Sequence, residues 1–151
     1  MPIADVMPLR LVSVHPDETV HLAITRMLED NVGCVAVVDA GRLVGVFSER
    51  DVLRLAGEGS AFTDVRVGDV MTREVVTVRP DDDVLEVANL MGARRIRHVP
   101  VMQGEHVLGM VGIRDVTRVL LERAYDRHDP NARDTARELL GRPQVRTSTA
   151  P

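Results

Sequence analysis

The chain has no lysine and no tryptophan, and only one tyrosine and two phenylalanines among 151 residues. A core of stacked aromatic rings is therefore excluded, and Val, Leu, Ile, Met and Ala must fill the interior. There is one cysteine, Cys34, so no disulfide can form within the chain. That suits a reducing compartment. Cys34 sits in the apolar run Val32–Val38 and reads as a small buried hydrophobe. No apolar run approaches the ~20 residues that span a bilayer, and no basic start leads into a signal-like apolar stretch. A basic surplus is missing too. The net charge is −4, and all 19 positive side chains are arginines, whereas nucleic-acid binders carry a basic face. The expectation is a soluble cytoplasmic protein with neither a membrane nor a nucleic acid as partner. Ligand spacing for a metal is absent: His15, His21, His98, His106 and His128 form no cluster with each other or with Cys34. Asp81-Asp82-Asp83 reads as a helix cap. No nucleophile–base pairing is recognisable, Ser48 having no His near it in sequence.

What is present is a repeat. Asp5-Val6-Met7 returns as Asp69-Val70-Met71, and Arg50-Asp51-Val52 returns as Arg114-Asp115-Val116. Gly45 returns as Gly109. The offset is always 64 residues, and 16 of the 51 positions from Asp5 to Leu55 are identical across it. Such a period means two copies of one structural unit. Each copy alone would be too small to bury an adequate core, so the two must share one. Two like units packed together leave a cleft, where ligands bind.

Within the first copy, Leu11–Val14 reads as a strand. Asp17, Glu18 and Thr19 cap a helix that places Val20, Ala23, Ile24, Met27 and Leu28 on one face. Cys34–Val38 and Leu43–Ser48 flank a turn and read as a hairpin. Glu49–Ala56 reads as a second helix closed by Gly57. The second copy repeats the order: a strand at Val75–Val78, a helix capped by Asp82 or Asp83, a hairpin of Val99–Met102 and His106–Val111, and a helix over Ile113–Ala124. Gly57–Val67 reads as a surface linker. Asp129-Pro130 opens a further helix over 129–141, with a flexible tail at 142–151. The expected units are therefore 1–60 and 65–124, each β-α-β-β-α, packed as a pseudo-twofold α+β pair with a C-terminal helix appended.

The join of last strand to last helix carries the chemistry. It reads Ser48-Glu49-Arg50-Asp51 in one copy and Gly112-Ile113-Arg114-Asp115 in the other. A helix N-terminus suits an anion. An Asp in the first turn can accept from both hydroxyls of a ribose, and an Arg can pair with phosphate. The same Asp could merely complement its helix dipole, and the sequence leaves both roles open. The cluster Arg94-Arg95-x-Arg97 is likewise either a ligand contact or a solvated helix end.

The paired Asp-Val-Met openings, Val99-Pro100-Val101, the two glycines and the endings Ser48-x-x-Asp51 and Gly112-x-x-Asp115 together resemble a tandem pair of cystathionine-β-synthase-type (CBS) domains, a Bateman module. The resemblance covers residues 5–122. It implies binding rather than catalysis: adenosine derivatives (AMP, ADP, ATP or S-adenosylmethionine) as regulatory ligands, no resident cofactor, a homodimer, and a separate effector protein that reads the signal. The alternative is a homodimeric interaction scaffold that needs no ligand.

Carried over by position, the resemblance implies two clefts. In the first, Asp115 holds the ribose, Arg97, His98 and Arg114 face phosphates, and Met7, Val12, Val32 and Gly33 enclose the base beside Gly112. In the second, Asp51 holds the ribose with Ser48 and Arg50 beside it, and Met71, Val76, Ile96 and Pro100 enclose the base. Gly112 replaces the family's usual hydroxyl, and Gly33-Cys34 stands where the other copy has Arg97-His98. The first cleft is therefore expected to take the more anionic nucleotide. The second is expected to take a less anionic adenosyl compound or to stay empty.

Overall fold

The computed structural model describes residues 1–126, so the helix and tail expected beyond 128 lie outside the described residues. A short 3-10 turn at Ile3–Asp5 leads to β1 (Ser13–Val14), α1 (Val20–Asp30), β2 (Cys34–Asp39), β3 (Arg42–Ser48) and α2 (Glu49–Gly57). A one-turn helix α3 (Val67–Val70) opens the second copy, followed by α4 (Val84–Arg94), β4 (His98–Gln103), β5 (His106–Gly112) and α5 (Ile113–Asp126). The fold is α+β, with strand order β1-β2-β3 in one sheet and β4-β5 in the other. The repeat survives in the backbone. Both hairpins are antiparallel and carry a register shift at the same place, Val37/Val38 and Val101/Met102. Both first helices end on a left-handed residue, Asn31 with φ 51° and Arg95 with φ 55°.

Local chemistry sets the element ends. Of the three residues expected to cap α1, Thr19 does so: its hydroxyl accepts from the Leu22 amide at 3.2 Å. Glu18 instead pairs with Arg26 at 2.9 Å. Asp83 caps α4, accepting from the Leu85 amide at 2.9 Å. The apolar face of α1 buries Val20, Ala23 and Met27, whereas Leu28, expected on that face, is 77% exposed. The strand expected at Val75–Val78 does not form, and only Val78 bridges to Val101. The cause is Pro100. In the first copy the Ala36 amide donates to the Val12 carbonyl at 3.1 Å. Its counterpart, Pro100, has no N–H to offer Val76.

Each copy's opening segment lies in the other copy's core. Ile3 and Val6 are buried with Val78, Val84, Val87, Met91 and Val99, anchored by bonds from the Ile3 amide to the Asp82 carbonyl and the Ala4 amide to the Pro80 carbonyl (2.8 and 3.0 Å). Reciprocally, Val67 and Met71 are buried with Val14, Val20, Val35 and Phe47. The Val67 and Gly68 amides donate to the carbonyls of Glu18 and Pro16 (2.9 and 2.8 Å). Neither core is complete without the other half of the chain. The linker takes part as well: Phe62 and Val65 pack on the first core, and their carbonyls accept from His21 and Val20 at 2.9 Å. It is more than the surface connection its composition suggests.

Candidate functional site: a cleft between the repeats

Two equivalent hydrogen bonds fix the site. The Glu49 amide, at the start of α2, donates to the Gly33 carbonyl at 3.0 Å; the Ile113 amide, at the start of α5, donates to the Arg97 carbonyl at 2.8 Å. Each ties a helix N-terminus to the residue that enters the first strand of its hairpin. Both junctions meet at one cleft of about 590 Å³. One wall is apolar and comes from the first copy: Val12, Ile24, Met27 and Val32. The opposite wall carries Arg97, His98, Gly112, Arg114 and Asp115 from the second copy. Arg10 stands on the lining and pairs with Asp30 at 2.8 Å.

The two aspartates at the helix starts have different surroundings. Asp51 is 7% exposed. Its Oδ2 accepts from the Ser48 amide and hydroxyl at 2.9 and 3.2 Å. Its Oδ1 accepts from the Thr72 hydroxyl at 3.3 Å and from Arg54 at 3.4 Å. Asp115 keeps only one of these contacts: its Oδ2 accepts from the Gly112 amide at 2.9 Å. Among the described residues no other protein donor reaches it. Its second oxygen therefore has no protein donor among the described residues, and Asp115 lines the cleft.

Gly112, which lacks the Ser48 hydroxyl, explains part of the difference, and the opening segments explain another part. Thr72 pairs with Val46 on β3 through two bonds, amide to carbonyl in each direction, at 2.9 and 3.0 Å. That pairing lays the segment over Asp51 and brings in the Thr72 hydroxyl. The residue 64 positions earlier is Pro8, which lacks the amide needed to pair with Met110 on β5. Pro8 and Met110 line the cleft instead, and the neighbouring Leu9 stands fully in solvent.

Electrostatics single out His98. Burial holds its imidazole below the usual value, against the opposing pull of Glu49 and Asp115 and with the help of Arg97 and Arg114. The ring lies against Gly112: a Cβ there would stand 3.4 Å from His98 Cδ2 and 3.3 Å from Asp115 Oδ2. A side chain at 112 would crowd both groups. Cys34, at the equivalent position of the first copy, is buried, and burial followed by Asp51 and Glu49 pushes its thiol up to about 12. It is a neutral apolar group at physiological pH, as its sequence context implies.

Of the nine residues expected in the first cleft, Val12, Val32, Gly33, Arg97, His98, Gly112, Arg114 and Asp115 line it together. Met7 does not. Its side chain lies over Gly109, in the space where a Cβ would stand, because the shared Asp-Val-Met segment packs into the partner core. The second set is not assembled around an open acceptor. Ser48 and Thr72 hold the Asp51 carboxylate, Met71 is buried against Gly45, and Pro100 is buried in β4. Val76 and Ile96 are half-buried and Arg50 is exposed. Asp51, expected to offer its oxygens to a ribose, thus accepts from Ser48, Thr72 and Arg54 of its own chain. Sequence reasoning missed Glu49, which also lines the first cleft. The available signal was the charge difference between Glu49 and its counterpart Ile113. Among the described residues no His/Cys/Asp/Glu group could hold a metal ion, and no helix is long and apolar enough to cross a membrane.

Duplicated hairpins, exchanged opening segments and a cleft at the seam define a paired-repeat binding module. The family model for the CBS domain matches twice, at residues 3–58 and 67–122, and the chain belongs to that family. It is 40% identical over 111 residues to the mitochondrial CBS domain-containing protein CBSX3 of Arabidopsis thaliana, covering 70% of this chain and 54% of that protein. Among solved structures, the CBS-domain containing protein ATU1752 of Agrobacterium tumefaciens matches with a TM-score of 0.73 at 30% identity, over 79% of this chain and 98% of that one. The CBS domain pair of protein MJ0100, determined with 5′-methylthioadenosine and S-adenosyl-L-methionine, matches with a TM-score of 0.73 at 25% identity, over 79% of this chain and 98% of that one.

Proposed function

We propose that this CBS pair is a cytoplasmic regulatory module that binds an adenosine-containing ligand in the cleft between its repeats and performs no reaction on it. The observation that carries the reading is Asp115 on the cleft lining, with the Gly112 amide as the one protein donor to its carboxylate among the described residues. A ribose offers two hydroxyl donors to such a group. The apolar wall of Val12, Ile24, Met27 and Val32 suits an adenine ring, and Arg97 and Arg114 suit an anionic end. The ligands of the MJ0100 pair support an adenosyl compound as the class. Asp51, already bonded within the chain, takes a structural role. The module would act as a homodimer, with Leu53 of α2, 75% exposed, available to a second copy, and would signal to a separate effector protein.

Calorimetric titration of the protein with AMP, ATP and S-adenosylmethionine tests the reading. At least one should bind, and Asp115→Ala should weaken it about tenfold or more, the loss of a charge-assisted hydrogen bond. Silence from all three at millimolar concentration would sink the sensor reading. The protein would then be a ligand-independent scaffold.

A further inference from the structure

Apart from Arg10, which pairs with Asp30, Glu49 is the charged group of the cleft that neither the repeat pattern nor the proposed ribose site explains. Its position is unusual. Residues 33 and 97 are equivalent in the two copies, and both line the cleft. The second copy puts an arginine there. The first copy puts glycine, and a Cβ built on Gly33 would stand 3.1 Å from Glu49 Cδ and 3.2 and 3.3 Å from its two oxygens. The carboxylate thus fills the space that a side chain at position 33 would take. Where the second copy offers a cation, the first offers an anion in the corresponding place. Among the described residues Glu49 makes no ion pair and no side-chain hydrogen bond. Arg97 and Arg114 have no ion-pair partner there either. The cleft therefore holds unpaired charges of both signs, supplied by opposite copies.

We infer that Glu49 is a specificity-determining residue that selects adenosyl ligands whose 5′ substituent carries a positive charge together with a negative one, and disfavours a polyphosphate. The inference rests on the proposed adenosyl site. A sulfonium or ammonium group would face Glu49, and a carboxylate would face Arg97 or Arg114. A triphosphate would gain the arginines but meet the Glu49 carboxylate with like charge. A neutral side chain at 33 with no acid at 49 would remove that conflict. This reverses the expectation of an anionic nucleotide, which counted Arg97 and His98 but not the acid facing them.

The test compares three probes on the full chain by calorimetry: adenosine, which is uncharged, S-adenosylmethionine and ATP. Glu49 is exposed, so Glu49→Gln keeps its size and the fold. The wild type should bind S-adenosylmethionine more tightly than ATP. In Glu49→Gln the preference for S-adenosylmethionine over adenosine should fall about tenfold while ATP gains a few-fold, the size expected of one partly screened charge. Glu49→Lys should invert the order of the two charged probes. Two results would overturn the inference and leave the adenosyl site standing: tighter binding of ATP than of S-adenosylmethionine by the wild type, or probe ratios that neither variant shifts. If the wild type binds none of the three, the adenosyl site and the role of Glu49 fall together.

Discussion

Pro8 and Thr72 occupy equivalent places in the two copies, and the ground beside them differs accordingly. Thr72 has an amide, so it pairs with Val46 and lowers its segment onto Asp51. Pro8 has none: Met7 still lies over Gly109 of β5, but Pro8 makes no such pair and lines the cleft. The Thr72 amide and hydroxyl, with the Ser48 hydroxyl that Gly112 lacks, thus separate a buried aspartate with several protein donors from one with a single donor among the described residues. A duplicated unit can in this way give two equivalent carboxylates different surroundings without changing the Arg-Asp pair itself.

The sharpest way to break the comparison is to load the two glycines. A Cβ on Gly45 would stand 2.7 Å from Met71 Sδ and 2.8 Å from the Thr72 carbonyl oxygen. That carbonyl is pinned by the Val46 amide and cannot yield. On Gly109 the three nearest atoms all belong to the Met7 side chain, which is unbranched and can turn aside. Gly45→Ala should therefore destabilise by about 3 kcal/mol and Gly109→Ala by about 1, read as shifts in urea midpoint at constant slope. Equal losses would mean that the Thr72 ladder does not distinguish the copies.

The aspartates should separate stability from binding. Asp51→Ala empties a buried position and takes the acceptor from the half-buried Ser48 amide and from the Thr72 hydroxyl, and should cost about 2 kcal/mol. Asp115→Ala removes one contact at a half-exposed site and should cost about 0.5–1 kcal/mol. Ligand affinity should respond in the opposite order, with Asp115→Ala the more damaging. A pair of variants equal in both assays would show that burial of Asp51 is not what divides their roles.

The repeat, the hairpins and the helices were legible because apolar periodicity and a constant offset report directly on burial. The cleft's second-copy wall was legible through the family resemblance, which implies Arg97, His98 and Asp115 at those positions. Three features were not. The missing strand at Val75–Val78 depends on an amide that Pro100 lacks, and that bond joins segments far apart in sequence. The place of Met7 depends on the exchange of opening segments, which no local pattern encodes. Glu49 reads as an ordinary first-turn acid, and only the empty space above Gly33 turns it into the cleft. In each case the deciding neighbour is remote along the chain.

The smallest expected effect contrasts His98 with Cys34, which hold the same place in the two copies. Cys34 is uncharged throughout the neutral range, its thiol being pushed up to about 12, so position 34 contributes no slope to stability there. His98 does. Burial first, then Arg97 and Arg114, lower its folded value, with Glu49 and Asp115 in opposition. As pH falls through the ordinary imidazole value of about 6.5, the unfolded chain takes up the proton before the folded one. The contribution of His98 is thus fully kept above that pH and lost toward the lower folded value. Urea midpoints between pH 7.5 and 5.5 should decline in the wild type and decline less in His98→Gln. Glu49→Gln should steepen the decline, since it removes a carboxylate that favours the imidazolium. A slope that none of these substitutions alters would assign the titration to a group outside the cleft.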